Sequence, residues 1–285
     1  MAQVSSAPRA EPFFLKAEPG QRFCLFHPPA GACRGAVLYV PPFGEEMNKA
    51  RRMAALQARA LAAEGFGVLL LDLYGCGDSS GDFAEARWDI WKCDLALGQQ
   101  WLLQRLGCPV ILWGLRLGAL LALDYTRGAP EAPASLLLWQ PVQNGATFLT
   151  QFLRLRIAND MRGEDKEKGG GTKALRDTLR AGVALEIAGY ELAPALAEAI
   201  EGLDAAALMA TTCPVDWFEA VPADGRALSP GAVKVAAAWQ AGGVDLRTHL
   251  VTCPPFWATQ EVTECAALLA ATSSVLSSVL SGAAA

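Results

Sequence analysis

The stretch Ile111-Leu112-Trp113-Gly114-Leu115-Arg116-Leu117-Gly118-Ala119-Leu120 decides the fold. An apolar run enters Gly-x-Arg-x-Gly and leaves as a second apolar run. This is the pattern of a buried strand that turns sharply into a helix and presents the central residue at the edge of the sheet, a nucleophile elbow in all but its nucleophile. Gly114 and Gly118 suit such a turn, because a Cβ at either flank would collide with the neighbouring strand or helix. Arg116 stands in the place of the nucleophilic serine. A guanidinium has no lone pair available near neutral pH and stays charged, so acyl-enzyme chemistry at this side chain is excluded.

On both sides of this turn strands and helices alternate. Pro12–Leu15 and Arg22–Phe26, separated by Pro19-Gly20, suggest an antiparallel hairpin. Strands are expected at Gly35–Val40, Val68–Leu73, Pro109–Trp113, Ser135–Trp139, Val215–Val221 and Leu246–Val251, as short apolar runs bounded by turn residues. Helices are expected over Asn48–Ala63, across the segment whose Trp88, Trp91, Leu95, Leu102 and Leu106 recur at helical spacing, and from about Thr259 to Leu280. Such alternation implies a mostly parallel sheet covered by helices on both faces, with ligands bound at the carboxyl ends of the strands. The rhythm breaks between Gly145 and Leu208, where no strand-like run occurs. The spacing there predicts a helical lid, with a charged, Gly-rich and mobile portion at 162–171. The domain organisation is therefore an α/β core over 1–145 and 209–285 with a helical insertion over 146–208.

Composition limits the function classes. The 285 residues suffice for one large core, and 52% of them are apolar. No run reaches the roughly 18 apolar residues of a membrane span, and Met1-Ala2-Gln3-Val4-Ser5 lacks the basic and apolar parts of a leader, so a cytoplasmic protein that is not integral to the membrane is expected. The net charge of −5, without a long basic stripe, argues against nucleic acid as a partner. The eight cysteines show no Cys-x-x-Cys spacing and are accompanied by two histidines, so no metal site is expected and the cysteines read as structural. No cofactor motif is present.

Two further segments extend the pattern of the turn. Asp72-Leu73-Tyr74-Gly75-Cys76-Gly77-Asp78-Ser79-Ser80-Gly81 looks like the Asp-x-x-Gly-x-Gly-x-Ser loop of the α/β-hydrolase superfamily, and Tyr39-Val40-Pro41-Pro42-Phe43-Gly44-Glu45-Glu46-Met47-Asn48-Lys49 occupies the place of its oxyanion-hole loop. The chain resembles that superfamily over nearly its whole length. With Gln140-Pro141-Val142 added, it resembles the hydrolase-like proteins associated with the exosortase A system, second of the two types. That resemblance implies an α/β-hydrolase fold and a cytoplasmic bacterial protein linked to exopolysaccharide synthesis and sorting of surface proteins. The chain departs from the catalytic pattern at the serine, now Arg116, and at the histidine expected after the last strand, where Thr252–Gln260 contains no imidazole.

The candidate catalytic residues are then His249, inside the last strand, and Asp224, in the loop after the strand before it. His27 reads as a surface or turn residue. Cys76 and Ser79 lie on a loop near the carboxyl edge of the sheet, where turn formation explains them better than nucleophilic attack. Arg116 must face an anion, because an unpaired buried guanidinium costs several kcal/mol. Glu45 or Glu46 would supply that anion from within, and the carboxylate or phosphate of a ligand from without. Backbone N–H groups of Leu117 and of Phe43 or Gly44 would favour an anionic ligand, and Trp257, with Phe256, would line a pocket.

Three functional readings follow. The first is a noncatalytic or atypical hydrolase homologue that binds a small anionic or acyl ligand or a protein partner. The alternative is an esterase, thioesterase or acyltransferase with a rearranged site, in which His249 or Asp224 activates water or a substrate hydroxyl. The third is a scaffold whose charged insertion docks onto a membrane-bound synthase or sorting enzyme.

Overall fold

The computed structural model describes residues 8–160 and 171–282. An eight-stranded sheet is built from β1 (Glu11–Lys16), β2 (Gln21–His27), β3 (Gly35–Val40), β4 (Phe66–Leu71), β5 (Val110–Leu115), β6 (Ser135–Trp139), β9 (Val215–Val221) and β10 (Leu246–Thr252). Their order is β1-β2-β4-β3-β5-β6-β9-β10. The first two strands pair antiparallel, and β4, β3, β5, β6, β9 and β10 run parallel. Five of these parallel strands, β3, β4, β5, β6 and β9, are buried on both faces, which explains the continuous apolar runs of the sequence, whereas β10 is a partly exposed edge strand.

Strand alternation divides the core into two layers. Ala36, Leu38 and Val40 face α2 (Trp88–Leu106), α3 (Leu117–Thr126) and α7 (Pro230–Ala241), whereas Val37 and Tyr39 face α1 (Glu45–Ala63) and α8 (Ala266–Gly282). Between β6 and β9 lie α4 (Gly145–Asp160), α5 (Gly171–Arg180), the hairpin β7 (Leu185–Ile187) and β8 (Tyr190–Leu192), and α6 (Pro194–Glu201). This segment leaves and rejoins the core at one place. Gly145 N donates to Leu203 O at 2.8 Å, Ala205 N donates to Gln143 O at 2.9 Å, and Asn144 bridges Asp204.

The structure corrects the sequence reading in four places. The β7–β8 hairpin stands where no strand was expected, because three-residue strands are too short to show an alternation. Helix α8 begins at Ala266 rather than near Thr259, because the Thr259 hydroxyl donates to Glu261 O at 2.8 Å and holds that stretch as turns. Strand β4 lies two residues earlier than expected, with Gly67 inside it beneath Leu106. His27 is buried in β2 rather than placed at a surface turn, and burial, aided by Arg59, lowers its pKa. The segment 162–170, expected to be mobile, lies outside the described residues.

A buried ion pair joins the amino-terminal hairpin to the core. Arg22 Nε donates to Asp94 Oδ1 at 2.6 Å, both side chains being almost wholly buried, and the other Asp94 oxygen accepts from Tyr74 N at 2.8 Å. The Arg22 guanidinium also lies 4.7 Å from the Tyr74 ring centre. Removing one member leaves a buried charge unpaired. Asp94→Ala is expected to lower stability by about 3–5 kcal/mol in urea unfolding, and the double replacement Arg22→Met/Asp94→Leu to recover most of that loss.

Candidate functional site

The site is set by backbone contacts at the carboxyl ends of β3, β5 and β6. A Cβ on Gly118 would lie 2.3 Å from Val40 O and 2.4 Å from Pro41 O, and one on Gly114 would lie 2.5 Å from Ala119 Cα. Only glycine at both positions lets α3 cross this close to β3 and β5. Arg116 between them takes φ 56°, ψ −117°, a conformation costly for a side chain of this kind. Its backbone is held by Arg116 N donating to Trp139 O at 3.0 Å and by Val142 N donating to Arg116 O at 3.2 Å. Three non-glycine residues among those described have positive φ, namely Arg116, Gln140 and Ala188, and all three line the site. Backbone strain is concentrated here, as is usual where a binding or catalytic geometry is enforced.

The Arg116 side chain turns back onto α1. Its Nε and Nη2 each lie 3.2 Å from Glu46 Oε1, and its guanidinium lies 5.3 Å from the centre of the Trp257 ring. The pair is partly buried. Burial raises the Glu46 pKa above the ordinary carboxylate value, and the charge and hydrogen bonds of Arg116 oppose that rise. Glu46 also lies in the first turn of α1, whose cap Gly44 supplies no side-chain acceptor, so it balances the positive end of that helix as well. The cap of α3 is Arg116 itself, likewise without a side-chain acceptor.

The ion pair separates two cavities. One, of about 340 Å³, is apolar and aromatic, with Phe43, Phe148, Phe152, Leu155 and Trp257 in its walls and Glu46 and Lys49 at its polar side. The other, of about 190 Å³, is polar and holds Arg116 together with Gln140, Gln143, Asn144 and Thr147. Phe148 and Gln151 of α4 line both. Below the elbow, Pro41, Phe43, Cys76, Leu117 and Leu121 close around a space of about 10 Å³, so that side is filled.

The sequence candidates are thus partly gathered. Arg116, Leu117, Phe43, Gly44, Glu46 and Trp257 meet around the elbow. Glu45 lines the exposed rim of the aromatic cavity and is held away from Arg116, accepting from Asn48 Nδ2 at 3.2 Å and from Tyr190 Oη at 3.4 Å. His249 shares a row of the sheet with Leu115, Trp139 and Phe218, yet its Nε2 lies 2.8 Å from Asp216 Oδ1 and its ring stacks on Phe218 at 4.5 Å. Asp216 is the second residue of β9, so His249 is drawn toward the amino end of the sheet, away from Arg116. Asp224 is exposed and accepts a hydrogen bond from Thr252 Oγ1. Ser79 is consumed structurally, donating to Asp72 O at 2.5 Å and accepting from Phe23 N at 2.9 Å. No group of three or more His, Cys, Asp or Glu side chains among the described residues is placed to hold a metal ion. No helix among them is long and apolar enough to cross a membrane.

Sequence reasoning missed the walls contributed by α4. Phe148, Gln151, Phe152 and Leu155 fall at i, i+3, i+4 and i+7, a spacing that marks one helix face. Nothing in the sequence announced the positive φ of Gln140, whose Oε1 accepts from Ala220 N at 2.6 Å.

The sheet order, the elbow and the helices on both faces define the α/β-hydrolase fold, and solved structures agree over almost the entire chain. Est1E from Butyrivibrio proteoclasticus with ferulic acid bound superposes with a TM-score of 0.60 at 13% identity, over 94% of this chain and 97% of that one. A soluble variant of monoglyceride lipase from Saccharomyces cerevisiae in complex with a substrate analogue gives 0.63 at 14% identity, over 96% of each chain. Proline iminopeptidase from Mycobacterium smegmatis gives 0.60 at 15% identity, over 96% of this chain and 100% of that one. No protein-family model matches the chain, and no curated protein matches it.

Cys76, whose side chain lines the small space below the elbow, is buried, and burial with the nearby charges of Asp72 and Asp94 pushes its pKa up to about 12. The thiolate needed for attack is therefore scarce at neutral pH. Iodoacetamide at pH 8 is expected to leave Cys76 unmodified in the folded protein while the exposed Cys93 reacts to completion, as read by peptide mapping.

Proposed function

We propose that this chain is a noncatalytic α/β-hydrolase homologue that binds an amphiphilic ligand, with an acyl or aryl part in the aromatic cavity and an anionic head toward Arg116. The observation that carries this reading is the Arg116–Glu46 pair, which occupies the place of the nucleophile and separates a polar from an apolar cavity. Neither of the two histidines stands beside it, since His249 is bound to Asp216 and His27 is buried in β2. Lys49 adds a cation at the edge of the apolar cavity.

In this reading residues 146–208 form the lid over the ligand, and Phe148 and Phe152 are its contact face. The backbone N–H of Leu117 and those at Phe43 and Gly44 add donors for the anionic head. We place the protein in the bacterial cytoplasm, within exopolysaccharide synthesis and surface-protein sorting. Support for that setting is the resemblance carried by Tyr39–Lys49, Asp72–Gly81 and Gln140–Val142.

A fluorophosphonate probe tests the absence of catalysis. Neither the wild type nor Arg116→Ser is expected to be labelled, because no imidazole reaches residue 116 to activate a hydroxyl. A mapped adduct on a wild-type pocket residue would sink the noncatalytic reading.

Binding is tested with 1-anilinonaphthalene-8-sulfonate, whose sulfonate stays ionised throughout. The raised pKa of Glu46 means that its carboxylate is neutralised earlier than an ordinary one as pH falls, which frees Arg116 for the probe. Affinity is therefore expected to rise from pH 8 to pH 5 in the wild type and to be flat in Glu46→Gln. Arg116→Met is expected to weaken binding about tenfold, the loss of one charge-assisted contact. Equal affinity in all three proteins would remove Arg116 from the ligand site.

A further inference from the structure

Cys33 and Cys108 come together at the amino edge of the sheet, the end opposite the elbow. Cys33 lies two residues before β3 and Cys108 two residues before β5, and these strands are hydrogen-bonded neighbours with Ala36 opposite Val110. Ala36 N donates to Pro109 O at 3.3 Å, which locks the starts of the two strands side by side. Gly107, at φ 64°, ends α2 in the left-handed conformation and delivers Cys108 directly to the strand. The adjacency is thus imposed by sheet register. Cys108 Sγ lies 2.9 Å from Cys33 Sγ, as a thiol donating to the second sulfur.

We infer that Cys33 and Cys108 form a reversible disulfide, a two-electron modification site that staples β3 to β5. Three observations single out this pair. The sulfurs need to close only from 2.9 Å to the about 2.05 Å of a disulfide, a movement that the starts of two adjacent strands accommodate. Both residues are partly exposed, so a small oxidant reaches them. The other close pair, Cys253 and Cys265, also hydrogen-bonds sulfur to sulfur but is buried. Cys93 is exposed, with no cysteine beside it among the described residues.

The oxidant is a low-molecular-weight disulfide such as oxidised glutathione. The Cys33 thiolate attacks one sulfur of that disulfide and releases one glutathione thiolate, leaving a mixed disulfide on Cys33. Cys108 then loses its proton and attacks the Cys33 sulfur, which expels the second glutathione thiolate. Two protein thiols are oxidised and one glutathione disulfide is reduced to two thiols. Burial and the neighbouring sulfur raise the Cys108 pKa to about 11, which suits it to the second step, where proximity compensates for a low thiolate fraction.

The bond would link positions 75 residues apart, which constrains the unfolded chain and leaves the cavities at the opposite edge unchanged. Full-length protein is incubated with oxidised glutathione at pH 8, quenched with N-ethylmaleimide, digested and mapped. A Cys33–Cys108 peptide is expected to form about tenfold or more faster than any other linkage, and to disappear with dithiothreitol. The oxidised wild type should melt about 5 °C above the reduced form, whereas Cys33→Ser and Cys108→Ser should show no such rise, and Cys108→Ser should retain a glutathione adduct on Cys33. The proposal is overturned if both residues stay free while Cys93 reacts, if Cys253–Cys265 forms instead, or if the pair links no faster in the folded protein than in urea.

Discussion

The close crossing of α3 over β3 and β5 is the constraint from which the site follows. With Gly118 against the carbonyls of Val40 and Pro41, and Gly114 against Ala119, residue 116 is held at positive φ between two close backbone approaches. Its side chain must then project from the carboxyl edge toward the loop that opens α1. This geometry is indifferent to what the side chain is, because the hydrogen bonds that hold it are made by the backbone of residue 116. An elbow of this geometry is thus compatible with an arginine as well as with a nucleophile at its centre, and the fold alone does not fix the chemistry.

What an arginine at this position alters is the strength of the local field, not its sign. Two helix amino termini, those of α1 and α3, already place partial positive charge at this edge. A serine adds nothing to that at rest, and the donors wait for negative charge to develop on a substrate. A guanidinium adds a full positive charge, so the edge requires an anion permanently. Glu46 meets the requirement from the first turn of α1, near enough to satisfy Arg116 and the helix dipole together. The cost is desolvation, visible in the upward push on the Glu46 carboxyl. A pair held at that cost is more easily exchanged for another anion than one anchored deep in the core, such as Arg22–Asp94.

Much of this arrangement was legible in the sequence because it is local. The elbow is written in five residues, and the buried parallel strands are written as apolar runs, since burial on both faces leaves no alternation to interpret. Choosing Glu46 over Glu45 was not legible. The two differ by about 100° around the helix, and which one faces Arg116 depends on where α1 begins, at Glu45 rather than at Asn48. The fate of His249 was hidden in the same way. Its row in the sheet is that of Leu115, but Asp216 sits two residues before Phe218 on the same face of β9 and captures the ring, a contact that appears only once strand register is known. The hairpin β7–β8 and the aromatic face of α4 were lost for a different reason, the brevity of one and the weak amphipathic contrast of the other.

The position of the ion pair argues for exchange rather than mere closure. Had Arg116 and Glu46 served only to plug a disused site, the space around them would be filled, as it is beneath the elbow, where Cys76, Phe43 and Leu121 leave room for little more than a single water-sized void. Above the elbow the pair has open space on both sides, polar toward Gln140 and Asn144 and aromatic toward Phe152 and Trp257. Gln140 and Ala188, one beside each space, keep strained backbones that simple plugging would not need. A molecule with an acyl tail and an anionic head would fill both spaces only by taking the place of the Glu46 carboxylate on Arg116. Under the proposed function the internal ion pair is the resting form of the site, and affinity would be set by how much better the ligand's anion satisfies Arg116 than Glu46 does.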